Sequence, residues 1–213
     1  MIRKTILTFD LDNTIFDISE LYKKAWDRGH PRKKSLKEIL FNKKVDNGFA
    51  FPKYWDYYQD LDWLGQSAIE LDKIFLDDYE LSSIDTDYLT ARSLNNIIHN
   101  PFYEVYFVTN RPLYIDTYWQ IERNDIIIDR EHVITTRNKN KVIYELGSVL
   151  HFDDAPHVLD YMIDKGINVV VISNDHTIYN HEWVKEHPNV PCYKNIKDAL
   201  EDLERIKQYY YLA

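Results

Sequence analysis

Four aspartates stand at two places where a short apolar run meets polar residues. Ile6-Leu7-Thr8-Phe9 leads into Asp10-Leu11-Asp12-Asn13-Thr14, and Val149-Leu150-His151-Phe152 leads into Asp153-Asp154. A third run, Val105-Tyr106-Phe107-Val108, ends in Thr109-Asn110-Arg111. Carboxylates drawn close together repel unless a cation neutralises them. Oxygen-only ligands call for a hard divalent ion, and Mg²⁺ is the default where phosphate is also bound. A carboxylate can attack phosphorus and become an aspartyl-phosphate. A second carboxylate two residues on can serve as acid and base, and a hydroxyl and a lysine can hold the transferring oxygens. A single aspartate at a strand end is as readily a helix cap or turn former. Three polar strand ends in this order fit that reading poorly.

These residues need a scaffold that brings them together. From residue 102 the chain alternates. Strands are predicted at 105–108, 133–134, 149–152 and 167–172, and helices at 112–123, 139–146, 156–165 and 196–210. Gly147 and Gly166 stop two of the helices. Strands alternating with helices imply a parallel sheet covered on both faces, and ligands bind such sheets beyond the carboxyl ends of the strands. All three polar strand ends would therefore meet at one edge. Residues 17–82 read differently, rich in charge and aromatics at helical spacing. Leu21, Tyr22, Ala25 and Trp26 suit one helix face, and Tyr54, Trp55, Tyr58 and Leu61 another. A further helix over 85–99 would turn Tyr88, Leu89, Ala91, Leu94, Ile97 and Ile98 inward, and Pro101 would break it.

The composition narrows the function classes. With 213 residues, 45% of them hydrophobic and 29% charged, the chain is long enough for one domain with an insertion. A formal net charge of −9 disfavours nucleic acid as a bulk partner, without forbidding a local basic patch. No apolar run is long enough to span a membrane, and no signal peptide is recognisable. The single cysteine, Cys192, excludes an internal disulfide. A cytoplasmic location is the expectation from these features.

Phe9-Asp10-Leu11-Asp12-Asn13-Thr14 resembles the DxDx[TV] signature of the haloacid dehalogenase (HAD) superfamily. Val108-Thr109-Asn110 resembles its second motif, and Phe152-Asp153-Asp154 its acidic fourth. The third motif is a lysine upstream of the fourth, near a helix start. Lys139 and Lys141 both qualify, and Lys139 has the commoner spacing. The resemblance implies an α/β fold, a Rossmann-like parallel sheet with an α-helical cap inserted after the first strand. Residues 1–16 and 101–213 would form the core and 17–100 the cap, whose last helix belongs to either. The long interval between Asp12 and Thr109 holds that cap. The resemblance further implies that Asp10 attacks phosphorus and binds Mg²⁺. Asp12 would act as acid and base, its backbone carbonyl also on the metal. Thr109 and Lys139 would hold phosphoryl oxygens, and Asp153 and Asp154 would complete the metal site. An acid at position 12 implies a phosphatase or phosphotransferase rather than a dehalogenase.

Thr109-Asn110-Arg111-Pro112 with Thr117-Tyr118-Trp119 is similar to a stretch of two branches. They are the 5′(3′)-deoxyribonucleotidase-like branch and the phosphatase domain of polynucleotide kinase-phosphatases. Ile178-Tyr179-Asn180 also resembles the first. The expected substrate is a small phosphorylated molecule, a nucleoside monophosphate first. A polynucleotide 3′-phosphate or another phosphorylated metabolite is the alternative, and a non-catalytic module is disfavoured because Asp10 and Asp12 are both present. Asn110 and Arg111 are candidate substrate ligands. Arg111 could instead pair with a core carboxylate. The basic stretch Arg28, Arg32, Lys33, Lys34, Lys37, Lys43 and Lys44 could attract an anion or be a solvated face. Tyr54, Trp55, Tyr57, Tyr58 and Trp63 could stack a base or form core. His151, His157, His176 and His181 lack metal-ligand spacing and read as packing or surface residues.

Overall fold

The computed structural model describes residues 4–31, 48–112 and 115–212. Six parallel strands form one sheet: β1 (Thr5–Phe9), β2 (Tyr103–Thr109), β3 (Val133–Thr135), β4 (Leu150–Asp153), β5 (Asn168–Ile172) and β6 (Cys192–Tyr193). Their order is β3-β2-β1-β4-β5-β6. The helices are α1 (Ser19–Gly29), α2 (Gln66–Phe75), α3 (Asp78–Ser82), α4 (Tyr88–Ile98), α5 (Thr117–Arg123), α6 (Lys139–Leu146), α7 (Pro156–Asp164), α8 (His181–Glu186), α9 (Ile196–Glu201) and α10 (Leu203–Tyr209).

The sheet is apolar on both faces because helices cover both. One face buries Leu7, Phe9, Phe107 and Phe152 against Ala91 and Leu94 of α4 and Ala199, Leu203 and Ile206 of α9 and α10. Phe9 stacks on Phe152 at 4.4 Å and meets Phe107 edge-on at 6.1 Å. The other face packs Val108, Val169 and Val171 against Ile143, Leu159 and Met162 of α6 and α7. In the register, Phe9 lies opposite both Phe107 and Phe152. The residues following these three phenylalanines are therefore level at the same sheet edge.

Inserted after β1, helices α1 to α3 bury a second apolar cluster around Leu21, Trp26, Trp63, Leu71 and Leu81. Gly29 lets α1 approach α2: a Cβ there would lie 2.4 Å from the backbone nitrogen of Ser67, too close for any side chain.

Several local expectations need correction. No amphipathic helix forms over 54–61; only a short 3-10 turn, Tyr57–Gln59, occurs there. Tyr54, Trp55, Tyr58 and Leu61 are exposed. Aspartates compete for the backbone: Asp56 accepts from Tyr58 N, and Asp60 accepts from Lys53 N and Asp62 N. The helix expected from Pro112 starts only at Thr117, where Asp116 caps it by accepting from Trp119 N. The last helix is two, broken at Asp202. Tyr88 and Leu89 face solvent, not inward. Among the described residues no helix is long and apolar enough to cross a membrane.

Candidate active site

Asp10 follows the last residue of β1, and its N–H donates to Phe152 O of β4 at 2.9 Å. This continues the ladder one step past Phe9 and sets Asp10 beside Asp153. Lys139 is the first residue of α6, which places its side chain back over the strand edge. Its Nζ lies 2.5 Å from Asp10 Oδ1 and 2.6 Å from Asp153 Oδ2. Lys141 stands at the cavity's rim, its side chain 69% exposed and paired with Glu145. Of the two lysines, Lys139 is the one that reaches Asp10 and Asp153.

Carboxylate oxygens of Asp10, Asp153 and Asp154 lie within 4.8 Å of one another, and all three residues are buried. The electrostatics show the strain of that arrangement. Burial pushes the Asp10 carboxyl up to about 7 against the pull of Lys139. Burial, with Asp153 and Asp10 alongside, holds Asp154 well above the usual carboxylate range. Burial also works against charge on Asp153, yet Lys139 and His151 hold its pKa below the usual value. Lys139 is likewise desolvated, but its two aspartates raise it. One ammonium does not balance three buried carboxylates. A donor set of oxygens alone with surplus negative charge fits a hard divalent cation.

Asp12 lies apart from this cluster. Arg111 Nε donates to its Oδ2 at 3.0 Å and Nη2 to its Oδ1. Arg111 also donates to Gln120 Oε1 and is buried. The expected substrate ligand is thus engaged with a carboxylate, the second of its two sequence readings, and that carboxylate, Asp12, lines the cavity. Thr109, buried at the end of β2, and the exposed Asn110 line the same cavity as Asp10 and Asp12.

That cavity, about 890 Å³, lies between the sheet edge and the inserted helices. Trp55, Tyr57 and Tyr58 line it, and Trp55 packs on His157 of α7 at 4.1 Å. Trp63 does not line it; it is fully buried in the insertion's own core, which removes it from the stacking candidates. Tyr118 and Trp119 do not line it either. Of the basic stretch, Arg28 pairs with Glu80; the rest of it lies outside the described residues.

Sequence reasoning passed over two participants. His151, read as packing or surface, is fully buried and places Nε2 2.8 Å from Asp153 Oδ2, with Nδ1 2.9 Å from Thr8 Oγ1. The available signal was spacing, since residues i and i+2 of a strand share a face. Tyr179 donates to Asp154 Oδ2 and accepts from Asn13 Nδ2 at 2.9 Å. Asn13 adopts a left-handed φ of 58°. Its Nδ2 also donates to Tyr22 OH of α1 at 3.1 Å, which ties the inserted helices to the aspartates. His176 and His181 serve loop packing, near Asp17 at 3.3 Å and Asn174 O at 2.8 Å.

Residues 4–208 match the haloacid dehalogenase-like hydrolase family. No curated protein matches the chain. Among solved structures, it is similar to a HAD family hydrolase from Deinococcus radiodurans with bound phosphate and sodium, at 10% identity and a TM-score of 0.60, covering 100% of this chain and 99% of that one. A Thermotoga maritima protein provisionally assigned as a beta-phosphoglucomutase is 14% identical, with a TM-score of 0.55 and 95% and 99% coverage. CbbY from Rhodobacter sphaeroides, in complex with phosphate, is 13% identical, with a TM-score of 0.52 and 92% and 96% coverage. These likenesses are of fold.

Proposed function

The chain belongs to the haloacid dehalogenase-like hydrolases, and on that premise we propose that it hydrolyses phosphate monoesters through an aspartyl-phosphate on Asp10, with nucleoside monophosphates as favoured substrates. The observation that carries this reading is the Lys139 ammonium bridging Asp10 and Asp153 where β1, β2 and β4 end.

Asp10 Oδ attacks phosphorus while the ester P–O bond breaks, and Asp12 protonates the departing alcohol oxygen. Asp12 then takes a proton from water, whose oxygen attacks the phosphorus of the acyl phosphate and releases inorganic phosphate and free Asp10. Arg111 orients Asp12 for both transfers. Thr109 and Lys139 hold the phosphoryl oxygens. Asp10, Asp153, Asp154 and the Asp12 carbonyl would hold Mg²⁺, which when bound neutralises charge on the phosphoryl group. In this reading 1–16 and 101–213 form the core and 17–100 the cap. Helix α4 goes with the core, since Ala91 and Leu94 pack under the sheet.

The Tyr/Trp lining supports a base-bearing substrate, and the cavity's volume is that of a small-molecule site. The Trp55–His157 contact from insertion to core favours a small ester over a polynucleotide end. A phosphosugar is the second reading, supported by the likeness to the Thermotoga protein. A panel of nucleotides and phosphosugars with Mg²⁺ separates the two. Phosphosugars turned over at least about tenfold more efficiently than every nucleotide would leave only the broader assignment, since tenfold is a transition-state difference of about 1.4 kcal/mol. Asp10→Asn tests the chemistry: kcat should fall by about 10⁴-fold or more, with no aspartyl-phosphate in single turnovers, and a near wild-type rate would remove the covalent mechanism.

A further inference from the structure

The cavity has two chemically distinct ends. Its cations, Arg111, Arg137, Lys139 and Lys141, all come from the core side, after β2 and around the start of α6. The wall contributed by the insertion carries Asp56, Tyr57, Tyr58 and Asp72, and no cation among the described residues.

Tyr22 OH accepts from Asn13 Nδ2 at the aspartate end of the cavity, whereas the two hydroxyls beside Asp72 are committed as donors. Tyr57 OH donates to Asp72 Oδ1, and Tyr58 OH donates to Asp72 Oδ2. A phenol has one proton to give, so each hydroxyl is left with lone pairs only. Burial and Asp72 both raise the Tyr57 pKa, and Asp72 raises that of Tyr58, so the protons stay on. Asp56 accepts from Tyr58 N at 3.2 Å and from Gln59 Nε2 at 3.3 Å, and it too presents only acceptor oxygens. The wall therefore offers hydrogen-bond acceptors and negative charge, beside the aromatic face of Trp55.

We propose that this wall selects the distal part of the substrate: a flat ring bearing N–H donors and no second negative charge, which among nucleoside monophosphates means an amino-bearing base. A ligand without donors leaves desolvated acceptors unpaired, and a second anionic group there meets Asp56 and Asp72. The inference rests on the phosphomonoesterase reading and deepens it.

The test compares kcat/KM of the full chain for AMP and CMP with that for their N6,N6-dimethyl and N4,N4-dimethyl analogues, and for adenosine 3′,5′-bisphosphate, with p-nitrophenyl phosphate as a base-free reference. The expected preference for the amino forms and for the monophosphate is at least about tenfold, mainly in KM. Asp72→Asn leaves one acceptor oxygen for two phenols, which frees one tyrosine proton, removes the charge and should weaken that preference. Asp56→Ala, at an exposed position, removes acceptor oxygens from the wall and should reduce it as well, which keeps the test open if the first variant folds poorly. No hydrolysis of p-nitrophenyl phosphate or of any of the nucleotides sinks the phosphomonoesterase reading, and this inference with it. Hydrolysis of that reference with equal efficiency toward the dimethylated or bisphosphorylated ligands, or a preference unchanged in both variants, overturns this inference alone.

Discussion

The imidazole Nε2 of His151 lies 2.8 Å from Asp153 Oδ2, the same oxygen that Lys139 Nζ approaches at 2.6 Å. Asp153 Oδ1 accepts from Ala155 N at 2.9 Å, so a fully buried carboxylate is held from three directions. Burial lowers the His151 pKa against the pull of Asp153. His151→Ala leaves a cavity under β4 and removes one donor from Asp153. It should cost about 2–4 kcal/mol of stability, read from urea unfolding at pH 7. A loss below about 0.5 kcal/mol, the range of an ordinary surface change, would mean the contact contributes nothing.

Activity should vanish on chelation and return with Mg²⁺, because the ligand atoms grouped at the site are carboxylate oxygens. Binding to the folded state alone also stabilises it. At a Mg²⁺ concentration near 100 times Kd the gain is about 2.7 kcal/mol, visible as a higher Tm by calorimetry. Full turnover after exhaustive EDTA treatment would rule out the metal requirement.

Trp55 and Trp63 should separate cleanly. Trp55 is half-exposed on the cavity, and Trp63 is buried with its indole N–H donating to Ala50 O at 3.0 Å. Stacking is worth about 1–3 kcal/mol per base. Trp55→Leu should therefore weaken nucleotide turnover by about 5- to 150-fold, chiefly through KM, since a base far from phosphorus binds substrate and transition state alike. Trp63→Leu should lower Tm instead. The same KM for Trp55→Leu as for wild type would exclude stacking there.

Glu80 gathers α1 onto α3. Hydrogen bonding to Lys24, against some desolvation, and then to Arg28 at 2.9 Å lowers its pKa. A carboxylate with a depressed folded pKa adds stability that is complete above its unfolded value, about 4.3, and is lost as pH falls through the folded one. Glu80→Gln should thus lower Tm at pH 7, and the gap to wild type should begin to narrow as pH falls through about 4.3 and close only below the depressed folded pKa. A gap independent of pH would assign the effect to packing rather than charge.

What the sequence determines by itself is the set of strand-end residues and the edge where they meet. Apolar runs alternating with helical segments demand parallel strands, and parallel strands put their carboxyl ends on one side. Asp10, Thr109 and Asp153 were legible because each is defined by its own strand. Helix α6 and its stop at Gly147, with a left-handed φ of 73°, were equally local. Contacts between segments distant in the chain were not legible. Lys139 and Lys141 have the same chemistry two residues apart, and only the pose of α6 over the sheet turns one to Asp10 and the other to solvent. Arg111 could have faced substrate or carboxylate until the turn after β1 brought Asp12 to it. The aromatic segment 54–63 had no single fate, because aspartate side chains broke its helix and the packing of α1 on α2 drew in Trp63 while leaving Trp55 on the cavity. Residue type and period decide which face is buried; which partner lies across that face is decided only when the whole chain closes on itself.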